Sequence, residues 1–222
     1  MIRGIIFDHD GTLVDSERKH YLMWVSILAG HNIDFSEEEY KTHLAGVPTH
    51  FNAAYLVKTY PALPMTADEL FAMREKLTRE SFSQGACPLI EGARELVEWT
   101  AARGLKMAIA TGAAPLEVQP TLDDHNFQQH FPIVATRAHV THAKPAPDVY
   151  QYALKQLGLD ASECIAIEDS PTGLKSALAA GISCIVVQND YSRGHDFSGA
   201  AAVLDSMHEA QRWLEKRLES AA

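Results

Sequence analysis

From Pro88 onward, short apolar runs rich in β-branched residues alternate with helical patterns. No other feature constrains the fold as strongly. The runs are Leu105–Thr111, Ile133–Thr136, Cys164–Glu168 and Ile182–Val187. Helical periodicity covers Ala93–Arg103, Asp148–Leu157 and Thr172–Ala180, the last closed by Gly181 as a C-cap. An earlier run, Ile2 to Phe7, has the same strand character. Strands this short and this apolar are buried on both faces, and intervening helices make neighbouring strands parallel. The pattern therefore predicts an α/β fold, a doubly wound parallel sheet with helices on both faces. A closing amphipathic stretch puts Met207, Ala210, Trp213, Leu214 and Leu218 on one stripe, which reads as a docking face.

The alternation breaks between Asp15 and about Gln84, where only helices are legible: Ser16–Ala29, Ser36–Leu44, Thr49–Tyr60 and Thr66–Ser83. Ser36-x-x-Glu39 and Thr66-x-x-Glu69 have the spacing of capping boxes. A helical bundle inserted after the first strand follows. The expected organisation is an α/β core of residues 1–14 and 85–222, with a helical domain of residues 15–84.

Composition removes several function classes. The chain has 29 acidic and 19 basic residues, a formal net charge of -10, and no clustered basic run. Nucleic acid and anionic membrane are thus disfavoured as partners. Apolar runs fall far short of the roughly 20 residues of a membrane helix. The start, Met1-Ile2-Arg3, leads straight into a strand, so cytoplasmic residence is expected. Cys87, Cys164 and Cys184 form no C-x-x-C pair and read as small core residues. His139 and His142 are three apart but lack the partners of a helical zinc site.

Ligands of open α/β sheets bind beyond the carboxyl ends of the strands. There the first strand places Asp8-His9-Asp10-Gly11-Thr12. Asp8 can act as a nucleophile while Asp10 delivers and removes a proton, and two carboxylates so close favour a bound cation. Thr111-Gly112 ends another strand, as an ordinary turn or as a hydroxyl and an amide for phosphate oxygens. In Lys144-Pro145-Ala146-Pro147-Asp148 two prolines fix the direction of a lysine able to neutralise a carboxylate and a phosphoryl group. Glu168-Asp169-Ser170-Pro171 supplies hard oxygen ligands or a helix N-cap.

These four segments, in this order, resemble the four motifs of the haloacid dehalogenase (HAD) superfamily, in the branch of β-phosphoglucomutase and sugar-phosphate phosphatases. The resemblance implies a Rossmann-like core with a helical cap and a magnesium-dependent enzyme acting on a small phosphomonoester. It implies that Asp8 attacks phosphorus and forms an aspartyl phosphate, which Asp10 helps to form and hydrolyse. Thr111, Gly112 and Lys144 would hold the phosphoryl charge. Mg²⁺ would be held by Asp8, the backbone carbonyl of Asp10 and Asp169, with Glu168 acting directly or through water. In the cap, His20, Gly46 and His50 would face the substrate.

An aspartate at position 10 is similar to phosphoryl-transfer members and unlike the dehalogenases. The mutase's cations near the cap Gly-Val and after the second motif are replaced here by Ala45, Thr49 and Ala114-Pro115. That difference favours a substrate with one phosphate, and hence hydrolysis over mutase chemistry. A catalytically silent binding protein and a phosphonoacetaldehyde hydrolase with Lys41 or Lys58 as Schiff base are the other readings. A monomer is favoured. No role is assigned to the His9 side chain.

Overall fold

The structure is a computed structural model and describes residues 1–219. Its strands are β1 (Gly4–Phe7), β2 (Lys106–Ala110), β3 (Ile133–Ala135), β4 (Cys164–Glu168), β5 (Ser183–Val187) and β6 (Ala202–Leu204). They form one sheet in the order β3-β2-β1-β4-β5-β6, with every pairing parallel. Four helices follow β1 directly: α1 (Glu17–Ala29), α2 (Glu37–His43), α3 (Thr49–Thr59) and α4 (Ala67–Phe82). The remainder are α5 (Ala93–Ala102), α6 (Pro115–Asp124), α7 (Asp148–Leu157), α8 (Pro171–Ala179) and α9 (Met207–Glu219).

Period-two alternation of apolar side chains builds the two layers. Ile5 and Phe7 of β1 face one way, with Ile109, Ile167 and Ile185, and meet Leu96, Val118 and Leu214 from α5, α6 and α9. Ile6, Ala108 and Ala166 face the other way, against Tyr150 and Leu154 of α7 and Leu174 of α8. All four residues of β1 are buried, as expected for a strand covered on both faces. Cys87, Cys164 and Cys184 are free and buried. Among the described residues no helix is long and apolar enough to cross a membrane.

Two elements were not anticipated. Helix α6 carries Pro120 in its interior, which removes a hydrogen bond and hides the helical pattern. Its first turn is held instead by Pro115 and by Glu117, whose carboxylate accepts from Ala114 N at 2.8 Å. Strand β6 is three residues long at the sheet edge, with Val203 44% exposed, so it lacks the apolar run that marks a buried strand.

The α1–α4 helices enclose their own apolar cluster, including Trp24, Leu28, Tyr40, Leu44, Leu56 and Leu70. Tyr191, from the loop after β5, joins it. The Thr66–Glu69 box is complete. At Ser36 only half of the expected box forms, because the Glu39 carboxylate accepts from Tyr60 Oη at 2.6 Å instead. Ser16 precedes α1 without capping it. Its hydroxyl is used at the site described next.

Candidate active site

The carboxyl ends of β1, β2 and β4 meet below the α1–α4 bundle. Backbone pairing fixes the approach: Asp8 N donates to Ile167 O at 2.9 Å, and Thr111 N to Ala135 O at 2.9 Å. Lys144 crosses from the loop before α7 and is followed by a cis Lys144–Pro145 peptide. Its Nζ donates to Asp8 Oδ1 and Glu168 Oε1, both at 2.6 Å, and to the Ala110 carbonyl at 2.9 Å.

Burial pushes the Asp8 carboxyl up to about 7, and the charge of Glu168 adds to this against the opposing pull of Lys144. Burial, then Asp8 and Glu168, likewise holds Asp169 well above the usual carboxylate range. Lys144 is raised although burial opposes it, because Asp8 and Glu168 outweigh that cost. Two of the three carboxylates, Asp8 and Glu168, therefore share one ammonium, with Asp169 beside them. Asp8, Glu168 and Asp169 each offer an oxygen, and these atoms lie within 4.8 Å of one another. Hard oxygens with uncompensated negative charge fit a divalent cation.

Asp10 is held from three sides. Ser16 Oγ donates to its Oδ1 at 2.6 Å, His20 Nε2 lies 3.5 Å from the same oxygen, and His9 Nδ1 lies 3.3 Å from Oδ2. Burial opposes ionisation of Asp10, but His9 and His20 more than offset it and keep its carboxyl well below the usual range. His20 Nδ1 is 2.7 Å from Arg74 Nη2. A guanidinium only donates, so His20 Nδ1 accepts and Nε2 carries the hydrogen that faces Asp10. His9 is fully buried between Asp10 and Thr121 Oγ1, which lies 2.9 Å from Nε2.

A cavity of about 250 Å³ opens above these groups. Of the expected residues, Asp8, Asp10, His20, Gly46, His50, Thr111, Gly112, Lys144 and Asp169 all line it. Glu168 does not. It lies behind Lys144, fully buried, and accepts from Tyr150 Oη at 2.7 Å. Thr111 Oγ1 accepts from Ala113 N at 3.0 Å, which orients the hydroxyl. Gly46 has a φ of 67°, and a Cβ there would stand 2.7 Å from Ser170 Cβ. Only glycine lets this loop of the helical bundle lie against the β4–α8 turn.

Sequence reasoning missed Glu17, Tyr40, Arg74, Glu117 and Arg137, which also line the cavity. Arg74 had a signal. Leu70, Arg74, Thr78 and Phe82 recur at four-residue spacing on the buried face of α4, so a charge sits in an inward stripe. Arg137 follows the end of β3 and is paired with Glu75 at 3.1 and 2.5 Å and with Glu117 at 3.6 Å.

The profile of the haloacid dehalogenase-like hydrolase family matches residues 5–187. The chain belongs to this family. Among curated relatives of this HAD hydrolase, protein CbbY of Rhodobacter capsulatus is 34% identical over 207 residues, covering 90% of this chain and 91% of its own. Fructose-1-phosphate phosphatase YqaB of Escherichia coli is 27% identical, covering 83% of this chain and 96% of its own. A crystal structure of CbbY from Rhodobacter sphaeroides, in complex with xylulose-(1,5)bisphosphate, superposes with a TM-score of 0.81. That protein is 28% identical, and the match covers 94% of this chain and 96% of that one. The parallel sheet with its helical insertion is thus the fold of a family of hydrolases.

Proposed function

We propose that this enzyme is a magnesium-dependent phosphatase that hydrolyses a small sugar phosphate through an aspartyl phosphate on Asp8. The observation that carries the reading is the contact of Asp8 Oδ1 with Lys144 Nζ at 2.6 Å, beside a cavity that Asp10 shares. Lys144 reduces the repulsion between an attacking carboxylate and a phosphate, and Thr111 and Gly112 face the same space.

In the first step Asp8 forms a bond to phosphorus as the bond to the sugar oxygen breaks, and Asp10 gives that oxygen a proton. In the second, Asp10 takes a proton from water, whose oxygen displaces Asp8 from phosphorus and releases phosphate. His9 and His20 suit the base role, since they favour ionised Asp10. An arriving phosphate acts the other way, raising the proton affinity of Asp10 by repulsion and preparing the acid role. Asp8, Asp169 and the Asp10 carbonyl would hold Mg²⁺, with Glu168 at the rear. When bound, the ion supplies neutralisation of phosphoryl charge.

Residues 15–84 act in this reading as a cap over residues 1–14 and 85–222, with His20, Gly46 and His50 on the substrate side. Cytoplasmic residence and a monomer belong to the same reading. Two arginines open the site to a second phosphate. Ala45, Thr49 and Ala114 supply no cation, but Arg74 and Arg137 reach the cavity from α4 and from the end of β3. They are the donors a second phosphate requires. CbbY with its bisphosphate and YqaB with fructose 1-phosphate support substrates of this class.

The test is phosphate release from a panel of sugar mono- and bisphosphates, with Mg²⁺ and with chelator, for the native protein and Asp8→Asn. Release that needs Mg²⁺ and is lost in Asp8→Asn bears the reading out. Release that persists in Asp8→Asn, or no release from any member, overturns it.

A further inference from the structure

Asn189 lies just beyond the carboxyl end of β5 and is joined to both acidic segments of the site. Its Nδ2 donates to Asp169 Oδ2 at 2.7 Å and to the Gly11 carbonyl at 3.1 Å. Gly11 itself has a φ of 77°, and a Cβ there would stand 2.2 Å from Asp169 Oδ2. The Asp169 carboxylate is therefore packed against the Gly11 backbone and gripped by the Asn189 amide. One side chain thus ties the segment that follows β1 to the segment that follows β4.

Asn189 is in turn held on its other side. Its Oδ1 accepts from Tyr191 N at 2.8 Å and from Ser192 N at 3.1 Å, an Asx turn that fixes the amide plane. Tyr191 then leaves the sheet domain's own cores and enters the α1–α4 cluster. Its hydroxyl donates to Glu37 Oε1 at 2.7 Å, and its ring meets Tyr40 edge-on with centroids 5.9 Å apart. The loop connects a carboxylate of the acidic cluster, through three residues, to helix α2.

We propose that Asn189 is a positioning residue for Asp169, setting the carboxylate for a divalent cation, and that Tyr191 anchors it to the helical insertion. An anionic oxygen crowded by Asp8 and Glu168 swings away from them unless something holds it. A neutral amide donor does so without adding charge. This inference rests on the cation reading above.

The test is calorimetric titration of the full chain with Mg²⁺ alone, comparing the native protein, Asp169→Asn and Asn189→Ser. Serine retains a short acceptor for the turn amides and removes the N–H that reaches Asp169. The expected result is binding to the native protein, none to Asp169→Asn, and an affinity lowered about 10-fold or more in Asn189→Ser. In turnover assays the Mg²⁺ concentration for half-activation rises to match, while substrate KM at saturating Mg²⁺ stays the same. Tyr191→Phe keeps the ring and the turn but loses the Glu37 bond, and it serves as the fallback if Asn189→Ser does not fold. It is expected to weaken Mg²⁺ binding in the same direction by a smaller factor. Native affinity in whichever variant folds would overturn the role of Asn189. Absence of binding by the native protein would overturn the cation reading, and the inference with it.

Discussion

The ammonium of Lys144 lies 2.6 Å from Oδ1 of Asp8, although 136 positions separate them in the chain. The pair sits where strand order brings β1 beside both β2 and β4, and the same ammonium also satisfies Glu168. Removing it would leave two buried carboxylates facing each other without a counter-charge.

Lys144→Met is therefore expected to lower folding stability by about 3–5 kcal/mol, the usual cost of orphaning a buried charge. Urea unfolding measures this. Adding Glu168→Gln to that variant removes one of the orphaned charges and should recover part of the loss. Phosphate release by Lys144→Met should fall at least about 100-fold, since an oriented cation at the reacting group is gone.

The raised carboxyls predict an unusual pH dependence. With its folded value pushed up to about 7, Asp8 keeps a proton that the unfolded chain has already released above about pH 4. More protons are bound in the folded state across that window, so stability falls as pH rises through it. Asp169, also raised, acts in the same direction. Chelator-treated protein should thus be more stable near pH 5 than near pH 7.5. Asp8→Asn should flatten the slope by up to about 1.4 kcal/mol per pH unit. Denaturant titrations at the two pH values check both statements.

Mg²⁺ should reverse that penalty, because it binds the folded cluster and not the unfolded chain. At a concentration 100 times its Kd the gain is about 2.7 kcal/mol, visible as a rise in Tm that chelator abolishes. Asp169→Asn should show no rise.

Arg74 and Arg137 predict substrate discrimination. Arg137→Ala should raise KM for a sugar bisphosphate by about 10-fold or more, the worth of a charge-assisted bond, and much less for a monophosphate. Equal effects on both would show that the arginine does not read a second phosphate. Arg74 also donates to His20 beside Asp10, so Arg74→Ala is expected to lower kcat as well.

Most of the sheet and all four helices of the insertion were legible because their patterns are strong. Each buried strand is a short uniform apolar run, and each helix carries its own stripe or cap. Strand β6 and helix α6 were not, for opposite reasons. Val203 leaves β6 half open at the edge, and Pro120 sits where a helix interior does not tolerate it. At the site, strand ends located Asp8, Asp10, Thr111 and Asp169, because local sequence encodes where a strand stops, and Lys144 was marked by the two prolines after it. Glu168 was located too, but its direction was not: Lys144 and Tyr150 turn it from the cavity, and both partners are distant in sequence. Arg137 was hidden for the same reason, and the inward stripe of α4 marked Arg74 without showing what it reaches. Which charged side chain reaches a cavity depends on how a bundle seats on a sheet. His9 was given no role, because only the packing of α6 reveals that Thr121 fixes its ring beside Asp10.

The central claim is that Asp8 becomes covalently phosphorylated. Acid quenching of native enzyme during its first turnovers with Mg²⁺ and a competent sugar phosphate, followed by peptide mapping, measures this directly. The account predicts a phosphoryl group on Asp8 that appears before free phosphate and is absent from Asp8→Asn. Phosphate release at the native rate with no label on Asp8, or with the label on another residue, would contradict it.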